Sequence, residues 1–280
     1  MRSKVLINGR AVGEDEPVYI VAEIGINHSG RMDKAKRMIE EAKRAGADAV
    51  KLQTYKTEKR VEKESPIFSI LKECELSYDN QKELFRYARE SGIEIFSTPF
   101  DEEAVDFLET LDVPCYKIAS FDIVNAKLLQ KIASKKRPVI ISRGMAKRDE
   151  IDRALGIMDE AGAEPALLHC VSAYPVSTYD ALNLKTIRAL KETYGCPVGF
   201  SDHSQGIEAP KTAAALGAEA IEKHFTLSKE DGSPDNPVSI EPHEFRRMVD
   251  DIRAVGRMMG EPVWTSVPEE EGTLQFRRVT

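Results

Sequence analysis

Hydrophobic and polar positions follow one repeating order along this chain. A short run that is apolar at nearly every position gives way to a longer stretch whose apolar residues return every three or four positions. The pair recurs eight times. The apolar runs are 18–24, 49–53, 93–98, 115–118, 139–142, 166–170, 198–201 and 220–224. After the first, Ala35, Met38, Ile39, Ala42 and Ala45 form a stripe at helical spacing, and Lys, Arg and Glu fill most of the remaining positions. That period predicts an amphipathic helix. Runs that are apolar throughout predict strands covered on both faces, as in a parallel sheet coated by helices. Four segments, "RAGADAV", "ESGIEIF", "EAGAEPALL" and "ALGAEAI", repeat one join, in which a helix ends on glycine and a strand begins within a few residues. Glycine takes the left-handed capping conformation cheaply. An open flavodoxin-like or Rossmann sheet is the alternative, but eight units in one 280-residue chain favour closure into a (β/α)8 barrel.

Three segments stand outside the rhythm. Residues 4–19 read as two extended runs around Asn8-Gly9, a pair suited to a tight hairpin turn. We place this hairpin (residues 1–18) as a lid over the N-terminal end of the barrel (19–262), with 263–280 as a weakly patterned tail. Residues 54–77 contain "KTEKRVEKESP" and read as a long, charged, mobile loop. Residues 228–240, rich in Gly, Pro, Asp and Asn, follow the last strand. Long loops at the catalytic face of a barrel shape or cover substrates.

Charge and cysteine content narrow the class. A net charge of −7 argues against nucleic-acid binding, which needs a basic face. The four cysteines, Cys74, Cys115, Cys170 and Cys196, are far apart and lack C-x-x-C spacing, so buried free thiols of a reducing cytoplasm are expected. No apolar leader opens "MRSKVLINGR", and no run of about 18 apolar residues occurs, so no membrane association is expected.

The chemically unusual residues fall where strands end, the edge at which barrel active sites are built. His203 and His224 close neighbouring strands, and two imidazoles are a common transition-metal pair that leaves positions open for water and substrate. Two polar residues satisfied by loop backbone would look the same. Asp202, Glu222 and Asp235 stand near as supporting or third-ligand carboxylates. Lys51 and Lys117, with Thr98, Ser120, Ser142 and Ser201, suggest a site for a phosphate plus a carboxylate, because a buried lysine needs an anion. The alternatives are structural ion pairs with Glu23 or Asp122, or a Schiff-base lysine. Glu23, Gln53 and Tyr174 suit the hydroxyls of a polyol. His28 and His169 read as structural, and Asn27-His28-Ser29-Gly30 as the turn that opens the first helix.

At this point the residues resemble a known family. "VAEIGINHSG", "KLQTY", "STPFD", "YKIAS", "ISRGM", "HCVSAYP", "GFSDHS" and "IEKHFT", in this order, resemble the sialic acid synthases across about 19–260. The resemblance implies condensation of phosphoenolpyruvate with an N-acetylhexosamine to a nonulosonic acid. It implies a divalent metal, usually manganese (Mg2+ or Co2+ as alternatives), on His203 and His224. It implies phosphoenolpyruvate at Lys51, Thr98, Lys117, Ser120, Ser142 and Ser201, and the acceptor sugar at Glu23, Gln53, Tyr174 and Asp235.

Three departures bear on substrate choice. The family's "STGM" is "SRGM" here, which would aim Arg143 into the pocket, or pair it with Glu23 or a loop acid. "SPDN" replaces "GPDH", and Ser172 replaces an asparagine. Family members also carry a C-terminal antifreeze-like domain whose arginine reaches the partner's acceptor. This sequence stops at Thr280, so the expectation is a barrel without it, assembled as a homodimer or higher homo-oligomer, or joined by a separate antifreeze-like polypeptide. A related synthase taking a phosphorylated or different aldose, with Arg143 as phosphate ligand, competes with this reading, as does a non-catalytic sugar-binding barrel.

Overall fold

The computed structural model describes residues 3–278. The first two and last two positions of the expected hairpin and tail lie outside it. Strands β1 (Lys4–Ile7) and β2 (Arg10–Gly13) pair antiparallel, with Val5 opposite Val12 and Ile7 opposite Arg10. Asn8 and Gly9 both take positive φ, 47° and 80°, the requirement of a two-residue hairpin turn.

Eight parallel strands follow: β3 (Tyr19–Gly25), β4 (Ala49–Thr54), β5 (Glu94–Pro99), β6 (Tyr116–Ile118), β7 (Val139–Ser142), β8 (Pro165–Cys170), β9 (Val198–Asp202) and β10 (Ala220–His224). Each pairs with the next, and β10 pairs back onto β3, closing the barrel. The expected runs match these strands to within one or two residues at either end.

Alternation along each strand sorts residues into two layers. One set, including Ile20, Val50, Ile95, Tyr116, Ile141, Leu167, Phe200 and Ile221, faces outward and packs against the helices. The helix Met32–Arg44 contributes Ala35, Met38, Ile39 and Ala42 to this layer, the stripe read from the sequence. The other set faces the barrel axis. Its lower members, Tyr19, Val21, Ala49, Phe96, Cys115, Ile140, Ala166, Leu168 and Ala220, form an apolar plug with Val5, Ile7 and Val12 of the hairpin. Burying each large apolar side chain is worth roughly 1.5–3 kcal/mol, so the hairpin seals the end it covers. With the lower half of the axis filled, the polar inward residues of the upper half are left to line a cavity.

The stretch 54–77 differs from expectation. It holds two short helices, Thr57–Arg60 and Phe68–Cys74, rather than an extended loop. Tyr55, Leu71 and Cys74 pack with Ile26 in a satellite core, and the Tyr55 hydroxyl donates to the Leu71 carbonyl at 2.9 Å. After the last barrel helix, Pro242–Met259, residues 260–278 are exposed throughout, including a 3-10 helix at Pro268–Phe276. Among the described residues no helix is long and apolar enough to cross a membrane.

Candidate active site

A cavity of about 400 Å³ opens at the C-terminal ends of the barrel strands. Of the residues expected there, Glu23, Lys51, Gln53, Thr98, Lys117, Ser120, Ser142, Tyr174, Ser201, His203, Glu222, His224 and Asp235 all line it, joined by Cys170. Their convergence follows from parity. Glu23, Lys51, Thr98, Lys117, Ser142, Cys170, Ser201 and Glu222 occupy inward positions above the apolar plug.

The floor is a network of buried charges. Lys51 Nζ lies 2.6 Å from Glu23 Oε2 and 3.0 Å from Thr98 Oγ1, and 3.9 Å from Glu222. Lys117 Nζ donates to Ser142 Oγ at 2.7 Å and to the Ile118 carbonyl at 3.1 Å, with Glu222 Oε1 3.9 Å away. Ser201 donates to Glu222 at 2.9 Å. Burial opposes the Glu222 charge, but Lys117 and Lys51 outweigh it and hold the carboxyl at about 2. Burial pushes the Glu23 carboxyl up, aided by Glu222 and against Lys51. Burial also opposes the Lys51 ammonium, which Glu222 and Glu23 nevertheless hold above its ordinary range. Burial and the neighbouring Lys51 push the Lys117 ammonium down despite Glu222. Lys51, held charged by two acids, is ill suited to be an amine nucleophile. Its ion pair with Glu23 is the structural alternative weighed above, yet both residues line the cavity.

The wall toward β3 holds hydroxyl-binding groups. Gln53 Nε2 donates to Glu23 Oε1 at 3.0 Å. Gly25, at φ +44°, sits where a Cβ would come within 2.8 Å of Glu23 Oε1, 3.1 Å of Asp235 Oδ2 and 3.2 Å of Gln53 Nε2. Three polar side chains therefore converge over a residue that must lack one.

His203 and His224 face each other with ring centroids 5.4 Å apart, and Tyr174 lies over His203 at 4.1 Å. His203 Nδ1 donates to the Val171 carbonyl at 2.8 Å, which leaves Nε2 bare. Burial and His224 drive its pKa down to about 3, so the ring is neutral. His224 Nδ1 is buried 3.4 Å from Asp235 Oδ2, without a well-aligned hydrogen bond. Burial disfavours its charge, but Asp235 and Glu23 outweigh this and favour a positive charge at that point. A neutral imidazole with a bare nitrogen beside a second ring set among carboxylates fits a divalent cation. Among the described residues no group of three His, Cys, Asp or Glu side chains is arranged as a ligand set.

The loop after β10 is clamped by Asn27. Its Nδ2 donates to the Phe225 carbonyl at 2.9 Å and to Ser239 Oγ at 2.8 Å, and its Oδ1 accepts from the Asp235 amide at 2.9 Å. The turn read at residues 27–30 leads into the first helix, which begins at Met32 after Arg31. Within that turn Asn27 is a fastener for Asp235.

Two expectations are corrected. Arg143 does not line the cavity. Ser142 takes the inward position, so the next side chain turns to the helix layer, where Arg143 Nε and Nη2 lie 3.2 and 3.0 Å from His169 Nδ1. It pairs with neither Glu23 nor a loop acid. His169 completes the chain through Nε2 to the Leu182 carbonyl at 2.7 Å, the structural role read for it. Asp202 likewise faces outward and meets Lys223 at 2.7 Å, both fully buried, so it supports neither histidine. His28 is buried and accepts from the Gly30 amide at 3.1 Å, again structural. The sequence reading missed Arg60, which lines the cavity from the short helix after β4. The only signal was its place in a charged run.

Comparison with known proteins bears on this geometry. Residues 38–263 match the family described as the NeuB family. The chain is 37% identical over 276 residues to N,N'-diacetyllegionaminic acid synthase of Campylobacter jejuni, covering 92% of this chain and 82% of that protein. It is 38% identical over 279 residues to human N-acetylneuraminate-9-phosphate synthase, covering 95% and 77%. The crystal structure of the N-acetylneuraminic acid synthetase of Leptospira borgpetersenii, in complex with citrate, superposes with a TM-score of 0.94 at 36% identity, covering 99% of this chain and 97% of that one.

Proposed function

The chain belongs to the NeuB family, and from that premise we propose that it condenses phosphoenolpyruvate with an N-acetylhexosamine-type aldose, forming a nonulosonic 2-keto-3-deoxy acid and releasing phosphate. The observation that carries this reading is Lys117. It is a fully buried ammonium bonded to a serine hydroxyl, with its ion-pair carboxylate 3.9 Å away. A buried cation so lightly paired is a place for an anion.

In this reading Lys51 and Lys117 hold the phosphate and carboxylate of phosphoenolpyruvate, and the hydroxyls of Thr98, Ser120, Ser142 and Ser201 fix its orientation. Gln53, Tyr174, Asp235 and Glu23 hold the acceptor so that its aldehyde carbon meets carbon 3 of phosphoenolpyruvate. A carbon–carbon bond forms there, water adds to carbon 2, and phosphate leaves by breaking the bond between carbon 2 and the bridging oxygen. Glu23, on the wall beside the acceptor, is our candidate for handling the proton that the aldehyde oxygen takes up. His203 and His224 are the residues that would hold a divalent cation, manganese in our reading, which when bound polarises the acceptor's aldehyde. Four buried free thiols support a cytoplasmic location.

Phosphoenolpyruvate labelled with 18O at the bridging position tests the bond that breaks. The label should leave entirely with phosphate. Label retained in the keto acid would refute this chemistry.

A further inference from the structure

Arg60 stands apart from the other cations of its segment. Lys56 and Lys59 both pair with Glu103, and Lys72 pairs with Glu58 and Glu75. Arg60 has no carboxylate within salt-bridge distance among the described residues, and Asp235, Asp122 and Glu23 act on it only through space. Instead its guanidinium carbon lies 3.8 Å from the ring centre of Phe100 and 4.7 Å from that of Tyr55. Among the described residues its one hydrogen bond to protein runs from Nη1 to Gln53 Oε1, at 2.9 Å. A guanidinium carries five N–H donors, so most of its edge is uncommitted. Contact with these two rings, which stand at 88° to each other, holds the guanidinium in place and leaves that edge for a bidentate contact.

Its height in the cavity separates it from the lysines. Gln53 stands two residues beyond Lys51 on the same face of β4, about 7 Å nearer the mouth. Arg60 lies against Gln53, on the wall where Glu23, Gln53 and Asp235 converge, not on the floor where Lys51 and Lys117 sit. An anion bound there is a different one from the anion on the floor.

We propose that Arg60 binds an oxyanion, phosphate or carboxylate, at the end of the acceptor remote from its aldehyde, so that this chain selects an acidic aldose over a neutral one. The term acceptor rests on the condensation reading; the anion site itself does not.

Calorimetric titration of the full chain with an N-acetylhexosamine 6-phosphate, the corresponding uronic acid and the neutral sugar tests it, for the parent, Arg60→Met and Arg60→Lys. The parent should bind at least one acidic sugar about tenfold or more tightly than the neutral one. Whichever acid binds better separates phosphate from carboxylate. Arg60→Met should erase that preference while leaving phosphoenolpyruvate binding within about twofold, and Arg60→Lys should keep part of it. A parent with no preference, equal losses for acidic and neutral sugars in Arg60→Met, or a loss confined to phosphoenolpyruvate would each overturn the proposal. Turnover assays on the same samples separate the two readings. Arg60-dependent binding of acidic sugars without phosphate release would sink the condensation and uphold the site. Condensation of neutral sugars indifferent to Arg60 would do the reverse.

Discussion

Lys117 Nζ lies 2.7 Å from Ser142 Oγ on the neighbouring strand, whereas Glu222, its ion-pair partner, stands 3.9 Å away. Removing this ammonium should therefore hurt an incoming anion more than it hurts the fold. Lys117→Ala should raise the phosphoenolpyruvate KM by about tenfold or more, since a hydrogen bond to a charged group contributes roughly 1.5–3 kcal/mol. The acceptor KM should move less. Steady-state titration of each substrate checks this, and an unchanged phosphoenolpyruvate titration would make Lys117 only a structural partner of Glu222.

His203 and His224 share one wall, and the Val171 carbonyl fixes the tautomer of the first. Either alanine variant should retain its far-UV circular dichroism, lose bound manganese and lose turnover. Metal content by mass spectrometry and activity after chelation report the two effects. Full activity in a chelated preparation would remove the metal from the mechanism.

Asn27 spends its side chain on the β10 loop that carries Asp235. Asn27→Ala leaves the Phe225 carbonyl and the Asp235 amide without that partner, at a cost of about 1–3 kcal/mol per buried group. We expect a lower melting temperature together with a larger rise in acceptor KM than in phosphoenolpyruvate KM. A drop in stability with both KM values unchanged would show that the clamp does not position Asp235.

Asp202 and Lys223 form a fully buried pair outside the cavity. Asp202→Ala should destabilise by about 3–5 kcal/mol because it strands a buried ammonium, and adding Lys223→Met should recover much of that loss. Urea denaturation measures both. A variant that unfolds like the parent but binds manganese poorly would instead put Asp202 back beside the histidines.

Much of this is legible in the sequence. The eight strands stood out because each is buried on both faces and therefore apolar along its length, and the site residues because polar groups at the ends of such strands are exceptional. What the sequence did not settle was parity and partnership. Arg143 and Asp202 sit at strand ends like Ser142 and His203, but one position out of phase, so they face the helices. Counting alternate residues upward from the apolar plug would have placed them. Arg60 was hidden for a different reason. A charged run looks solvated throughout, and only the packing of Tyr55 and Phe100 singles out one of its cations. The clamp made by Asn27 is invisible in the sequence because its hydrogen-bond partners are some two hundred residues away.

The most direct measurement is the mass of what the protein makes. Incubated with phosphoenolpyruvate, manganese and a panel of neutral and acidic N-acetylhexosamines, the chain should yield a product three carbons longer than one acceptor, with one phosphate released per product formed. Phosphate released equally without any sugar, or no extended sugar from any member of the panel in the presence of metal, would contradict the condensation.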